Sequence, residues 1–296
     1  MENLKTIKNR VSAVGSIIKA MNSMKMVATV KLAKINNTHT QAKRCAGILL
    51  DMLGKAAKEH ILCNRVESNS WTRRVFSGPA SLGGGADGSE SSALIVVLSA
   101  DQGFCGPFNQ HVLHSASELI ELYNNAYVEI FGKIGEAAIA SRRPQFAEFN
   151  RCPDIQPAPE FAKYLSDLVI RYVVDHGVTT VLVVSGKFEN VLTQKAQIST
   201  IFPIEAKPCD SEIVEIEDCS EVFMTDLLNA YLYEAFICVI TEHLISEFSA
   251  RVMAMDASVK NADDMFDELR IKRNKIRQDK ITQELTEIVS SIECMM

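Results

Sequence analysis

The sequence predicts an α/β chain. A long antiparallel coiled coil is expected from its N- and C-terminal helices, with a small doubly wound, mostly parallel domain between them. Three observations predict this. Both ends carry apolar residues at alternating three- and four-residue steps, the period of a helix wound on a partner helix. The middle alternates continuous apolar runs with helical stretches, as parallel sheets require. The ends are also oppositely charged: residues 1–59 hold eleven Lys/Arg against three Asp/Glu, and residues 210–296 hold eight against nineteen. Opposite charge beside matching seams favours the two ends pairing with each other.

Leu4, Ile7, Val11, Val14, Ile18 and Met21 open the first seam over residues 1–59, and Met24, Ala28, Leu32 and Ile35 continue it. Read through Met24, the step from Met21 to Leu32 is a hendecad, which would relax a left-handed supercoil. No Pro interrupts this stretch. A helix of some fifty-five residues would run roughly 80 Å, and such a rod is seldom stable without a partner. Residues 60–92 read as a flexible linker, richest in Ser and Gly over 77–92. Gly78 and Gly83 have Walker-like spacing, but Gly84 and Gly85 stand where a phosphate loop needs Gly-Lys.

Residues 93–209 form the expected α/β domain, Rossmann-like in pattern. Ala93–Leu98 is a continuous apolar strand of the buried parallel kind. A helix over 110–124, a strand over Tyr127–Phe131, a short helix over 133–142 and a third strand over Phe146–Phe149 follow. Pro159 lies near the start of a helix that ends about His176-Gly177. Val178–Val184 is another buried strand, and Val191–Thr200 alternates weakly. Residues 210–296 carry the second long helix, beginning near Glu221. Its seam runs Phe248, Val252, Met255, Val259, Ala262, Phe266, Leu269.

A net charge of −6 gives no reason to expect nucleic acid as a partner. The eight cysteines show no CxxC and no recurring spacing, so reduced, packing thiols are expected rather than a zinc site or a disulfide framework. Met-Glu-Asn-Leu-Lys at the start has neither an apolar h-region nor an Arg/Ser-rich leader. No run of eighteen apolar residues occurs, so no membrane span is expected. No cofactor is expected either.

Two clusters are candidates for function. Asp101, Cys105, His111 and His114 follow the first strand, where α/β sheets usually bind ligands. Cys105 with a histidine would suit a nucleophile pair, and His111-x-x-His114 two metal ligands, but no third ligand and no framing glycine motif is present. A tight turn over Ser99–Gly106 is the favoured reading. The second cluster is a basic collar: Arg270, Lys272, Arg273, Lys275, Arg277 and Lys280. Arg273 takes an apolar position, the phase jumps between Ile276 and Ile281, and Ile281, Leu285, Ile288 and Ile292 restart the seam. Either this is a solvated charged turn, or the helix leaves its own partner here and is gripped by acidic neighbours.

Several blocks together resemble the gamma subunit family of F-type ATP synthases. They are Ile7-Lys-Asn-Arg-Val11, Lys19-Ala-Met21, Met24-Lys-Met-Val-Ala28, Ser99–Asn109, Arg251-Val-Met-Ala-Met255, Asn274-Lys275, Arg277-Gln278 and Ile281–Ser290. The chain departs from the family pattern at Gln102, where Arg is usual, at Pro107, where Gly is usual, and at Arg273, where Tyr is usual. The resemblance implies a non-catalytic rotor shaft, one copy per complex. It would couple proton flow to ATP synthesis inside an alpha/beta hexamer whose beta subunits are catalytic. Epsilon and delta subunits and a membrane c-ring are the other implied partners. The family's hexamer-facing positions carry over to Lys25, Met26, Arg270, Arg273, Lys275, Arg277, Gln278, Ile281, Leu285, Ile288 and Ile292. The implied location is the cytoplasmic face of a bacterial plasma membrane, with a processed organellar chain left open. A stand-alone coiled-coil scaffold, or a small-molecule enzyme built on the α/β domain, are the alternatives.

Overall fold

A computed structural model describes residues 4–62, 92–123, 126–140, 158–190, 194–204 and 221–293. In chain order they form α1 (Leu4–Leu62), β1 (Ala93–Leu98), α2 (Phe108–Leu122), β2 (Ala126–Phe131), α3 (Lys133–Ala140), α4 (Ala158–Asp175), β3 (Thr180–Phe188), β4 (Gln194–Phe202) and α5 (Glu221–Glu293). The strand expected over Phe146–Phe149 and the Ser/Gly-rich segment 77–92 lie outside the described residues. Contacts gather the chain into two compact units. One joins the start of α1, up to Val30, with α5 from Arg251 onward; the other is Lys31–Ala250.

The second unit is built on a four-stranded sheet of order β2-β1-β3-β4. β1 is parallel to both neighbours, and β4 returns antiparallel along β3. All six residues of β1 are buried, which is why the strand reads as Ala-Leu-Ile-Val-Val-Leu without a polar break. On one face Ile95, Val97, Val128, Ile130, Leu182 and Val184 pack against Val112, Ala116, Leu119 and Ile120 of α2. On the other, the Phe131 ring meets Phe161 of α4 edge-on at 5.2 Å. On that same face the Tyr172 hydroxyl donates to Oε1 of the fully buried Glu129 at 2.7 Å. Helices on both faces make the doubly wound arrangement. Among the described residues β4 pairs on one side only, and its Gln-Lys-Ala-Gln-Ile-Ser-Thr start explains its faint sequence signal.

The part of α5 in this unit buries Met224, Leu228, Leu232, Phe236, Ile240 and Leu244. α5 contains a window long and apolar enough, by length and composition, to cross a bilayer. That average criterion is looser than the unbroken apolar run sought in the sequence, and a helix packed in a protein core meets it as well. A few polar residues interrupt the run without lowering its average enough. The buried residues above show how much of this stretch faces protein.

In the first unit α1 and α5 run antiparallel, with Lys25 beside Asp256 and Gly15 against Phe266. Side chains of α1 are buried or half-buried at positions 4, 7, 11, 14, 18, 21, 25 and 28, an unbroken heptad. This overturns the hendecad: Met24 is exposed, and Lys25 holds the seam position. Apolarity pointed to Met24, but a lysine can sit in a seam when its stem packs and its ammonium is neutralised. Here the Lys25 ammonium donates to Oδ1 of Asp256 at 2.5 Å. On α5 the seam descends through Met255, Val259, Ala262, Phe266, Leu269, Arg273 and Ile276.

Candidate partner interface

Burial along α5 stops at Ile276. From Arg277 to Ile292 every side chain is exposed, yet the helix continues to Glu293. Local bonds along the helix support it there. Lys280 reaches Glu284 at 3.6 Å, Gln283 donates to Glu287 at 3.0 Å, and the Thr282 and Thr286 hydroxyls donate to carbonyls one turn back. Ile281, Leu285, Ile288 and Ile292 are each about half exposed. Their 4-3-4 spacing sets them on one face of the helix. Val289 is exposed beside them, an apolar neighbour that the a/d pattern passed over.

The collar lies where burial ends. Arg273 is half-buried at its seam position, and its guanidinium donates to Asn274 Oδ1 at 3.3 Å. Arg270 faces Asp267 at a loose 3.9 Å. Lys275, Arg277 and Gln278 are exposed. Of the two α1 candidates, Lys25 is committed to Asp256, whereas Met26 is 70 % exposed. Val27 and Val30 are exposed near it, one helical turn or less away, so the α1 patch is broader than the single Met26 that the motif suggested.

The first cluster does not converge. Asp101 accepts the Lys133 backbone N–H at the start of α3 at 3.3 Å. Cys105 is buried and its sulfur accepts from Asn109 Nδ2 at 3.1 Å. His111 and His114 lie on the exposed side of α2, and His114 approaches Glu118 at 3.4 Å. Phe104, at the tip of the turn, is exposed with φ of +62°, a left-handed conformation that costs a non-glycine residue about 1 kcal/mol.

Near the C-terminal end of β3, at the edge where an open α/β sheet takes a ligand, residues of α5 and α2 make direct contacts. The Gly186 N–H donates to His243 Nδ1 at 3.2 Å, and the Ser246 hydroxyl donates to the Lys187 carbonyl at 3.3 Å. The Phe108 ring packs against His243 at 5.3 Å.

A family model described as ATP synthase matches residues 3–295. The chain belongs to the ATP synthase family. The ATP synthase gamma chain of Mycoplasmopsis pulmonis is 29 % identical over 98 % of this chain and 99 % of its own length. That of Sulfurovum sp. is 27 % identical over all of both chains. Among solved structures, a chain of the Euglena gracilis mitochondrial ATP synthase OSCP/F1/c-ring assembly shares the fold. Its TM-score is 0.65 at 16 % identity, covering 99 % of this chain and 94 % of that one. A second, from the rotor of the same enzyme, has a TM-score of 0.60 at 16 % identity over 94 % and 98 %. The role is that of the gamma subunit, a non-catalytic part of a membrane-bound complex.

Proposed function

We propose that this chain is the central shaft of an F-type ATP synthase, and that α5 beyond Ile276 is its bearing end. One observation carries the reading. A helix that loses its intramolecular cover at Arg277 still presents Ile281, Leu285, Ile288 and Ile292 along one face to its end. An exposed apolar stripe of that length calls for an external sleeve, and an alpha/beta hexamer supplies one. Arg270, Arg273, Lys275, Arg277 and Gln278 sit at the mouth of that sleeve, where acidic loops of the beta subunits would meet them, while Met26 on α1 would meet the hexamer at a separate level of the shaft, near Asp256. Such charge pairs add little stability but steer and orient.

The shaft has no twofold or threefold symmetry of its own, so each beta subunit meets a different face of it. Differential contact shifts each beta subunit toward a different nucleotide affinity, and rotation passes the states round. Catalytic sites belong to those partners. The α/β domain, 93–209, is the foot that would bind epsilon and the c-ring, with delta elsewhere in the complex and residues 60–92 as a linker. The complex sits on the cytoplasmic face of a bacterial plasma membrane.

Affinity purification of the tagged chain from native membranes, followed by intact-complex mass measurement, tests this. One copy with an alpha/beta hexamer is the expected composition. A homodimer free of other subunits would instead support a coiled-coil scaffold.

A further inference from the structure

Among the α1 seam positions of the first unit, Lys25 alone is charged where the heptad asks for an apolar side chain. A polar residue at such a position lowers stability but fixes register, because sliding the helices strands its charge. The ammonium of Lys25 donates to Oδ1 of Asp256 at 2.5 Å, and Oδ2 of Asp256 takes the Lys260 ammonium at 3.0 Å. The bond from Lys25, then that from Lys260, holds the Asp256 carboxyl below the usual carboxylate range. Ten residues earlier in α1, Gly15 leaves room for the Phe266 ring, whose Cε2 would lie 3.4 Å from an added Cβ.

The two contacts exclude slips in opposite directions. One heptad before Asp256 stands Ser249, which offers no charge. One heptad after it stands Asp263, but that slip carries Phe266 away from Gly15 and brings Arg273 there. The apolar residues of the seam recur every heptad and discriminate poorly between these registers.

We propose that Lys25, through Asp256, is a positioning residue that pins the register of the α1–α5 pair, so that the shaft turns as one body. The inference rests on the rotor reading: two helices passing torque to a hexamer must not slide past each other. It also gives Lys25 a task inside the shaft rather than on the hexamer.

The test uses Asp256→Lys and the charge swap Lys25→Asp/Asp256→Lys in the reconstituted complex. The first readout is ATP-driven ion pumping per ATP hydrolysed. It is expected to fall in Asp256→Lys and to return in the swap. The second is cross-linking between cysteines placed at Ile18 and Ala262, which report the native register, against cysteines at Ile18 and Leu269, which report a one-heptad slip. Asp256→Lys is expected to move yield from the first pair to the second, and the swap to restore it. If Asp256→Lys does not accumulate, Asp256→Asn takes its place, with a smaller change in the same direction. Either readout left unmoved by the charge change, or not restored by the swap, overturns the pin. A wild-type chain that assembles but does not pump would count against the rotor reading instead, and the cross-links alone would then decide the register.

Discussion

Gly186 of β3 donates its backbone N–H to Nδ1 of His243 on α5 at 3.2 Å, at a point where both residues are out of water. That bond makes Nδ1 the acceptor and leaves the proton on Nε2, which has no hydrogen-bond partner among the described residues. Burial pushes the imidazole pKa down to about 3. The unfolded chain therefore takes up this proton near pH 6.5 while the folded chain resists until about 3. Stability from His243 is complete above pH 6.5 and is lost as pH falls through that window, on the order of 3 kcal/mol by pH 4. Urea unfolding of wild type and His243→Gln between pH 7 and 4 is the check. The variant is expected to show a flatter pH dependence; identical slopes would contradict it.

Gly186 is also fixed by space. An added Cβ would stand 2.3 Å from Cε2 and 2.7 Å from Cζ of the buried Phe108 ring. Gly186→Ala is expected to cost about 1–3 kcal/mol, read as a lower midpoint in thermal unfolding. Adding Phe108→Leu should recover part of the loss. An unchanged midpoint in the single variant would show that the ring moves aside freely.

Glu129 is a carboxyl inside a parallel strand, kept there in part by the Tyr172 hydroxyl at 2.7 Å. Tyr172→Phe removes that donor while keeping the ring, and should destabilise the second unit by about 1–3 kcal/mol. Pairing it with Glu129→Leu in a double-mutant cycle should show coupling between the two sites. Additive losses would mean that the bond contributes nothing.

Gly15 lies within a long helix, where glycine costs about 1 kcal/mol relative to alanine. A Cβ there meets Phe266 at an ordinary 3.4 Å. Gly15→Ala is expected to raise stability by up to about 1 kcal/mol, whereas Gly15→Leu should lower it by overpacking. Equal effects of the two substitutions in denaturant unfolding would mean that Phe266 does not hold the space.

Elements whose signal is local were legible in the sequence. β1, β2 and most of β3 announce themselves as apolar runs because both faces of the sheet are covered. β3 nevertheless runs on to Phe188, since its polar end, Ser185 to Phe188, pairs antiparallel with Gln194 to Gln197 of β4. Lys25 was missed as a seam residue because its right to be there depends on Asp256, 231 positions away. The contacts of α5 with the end of β3 were equally hidden: His243 and Ser246 carry no motif, and only the fold brings them to Gly186 and Lys187. Cover along α5 ends level with the start of α1, since the register that sets Lys25 beside Asp256 and Gly15 against Phe266 sets Leu4 opposite Arg277, and the phase jump after Ile276 falls at the same level. Val27, Val30 and Val289 were not legible, since an exposed valine looks the same as a buried one until a neighbouring helix is placed.

The most direct test of a rotor shaft watches it turn. The alpha/beta hexamer would be immobilised through its beta subunits, with an optical probe fixed to the α/β domain of this chain. Sustained rotation in one direction on addition of ATP is the expected result. ATP hydrolysis by the assembled complex with the probe stationary would contradict the assignment.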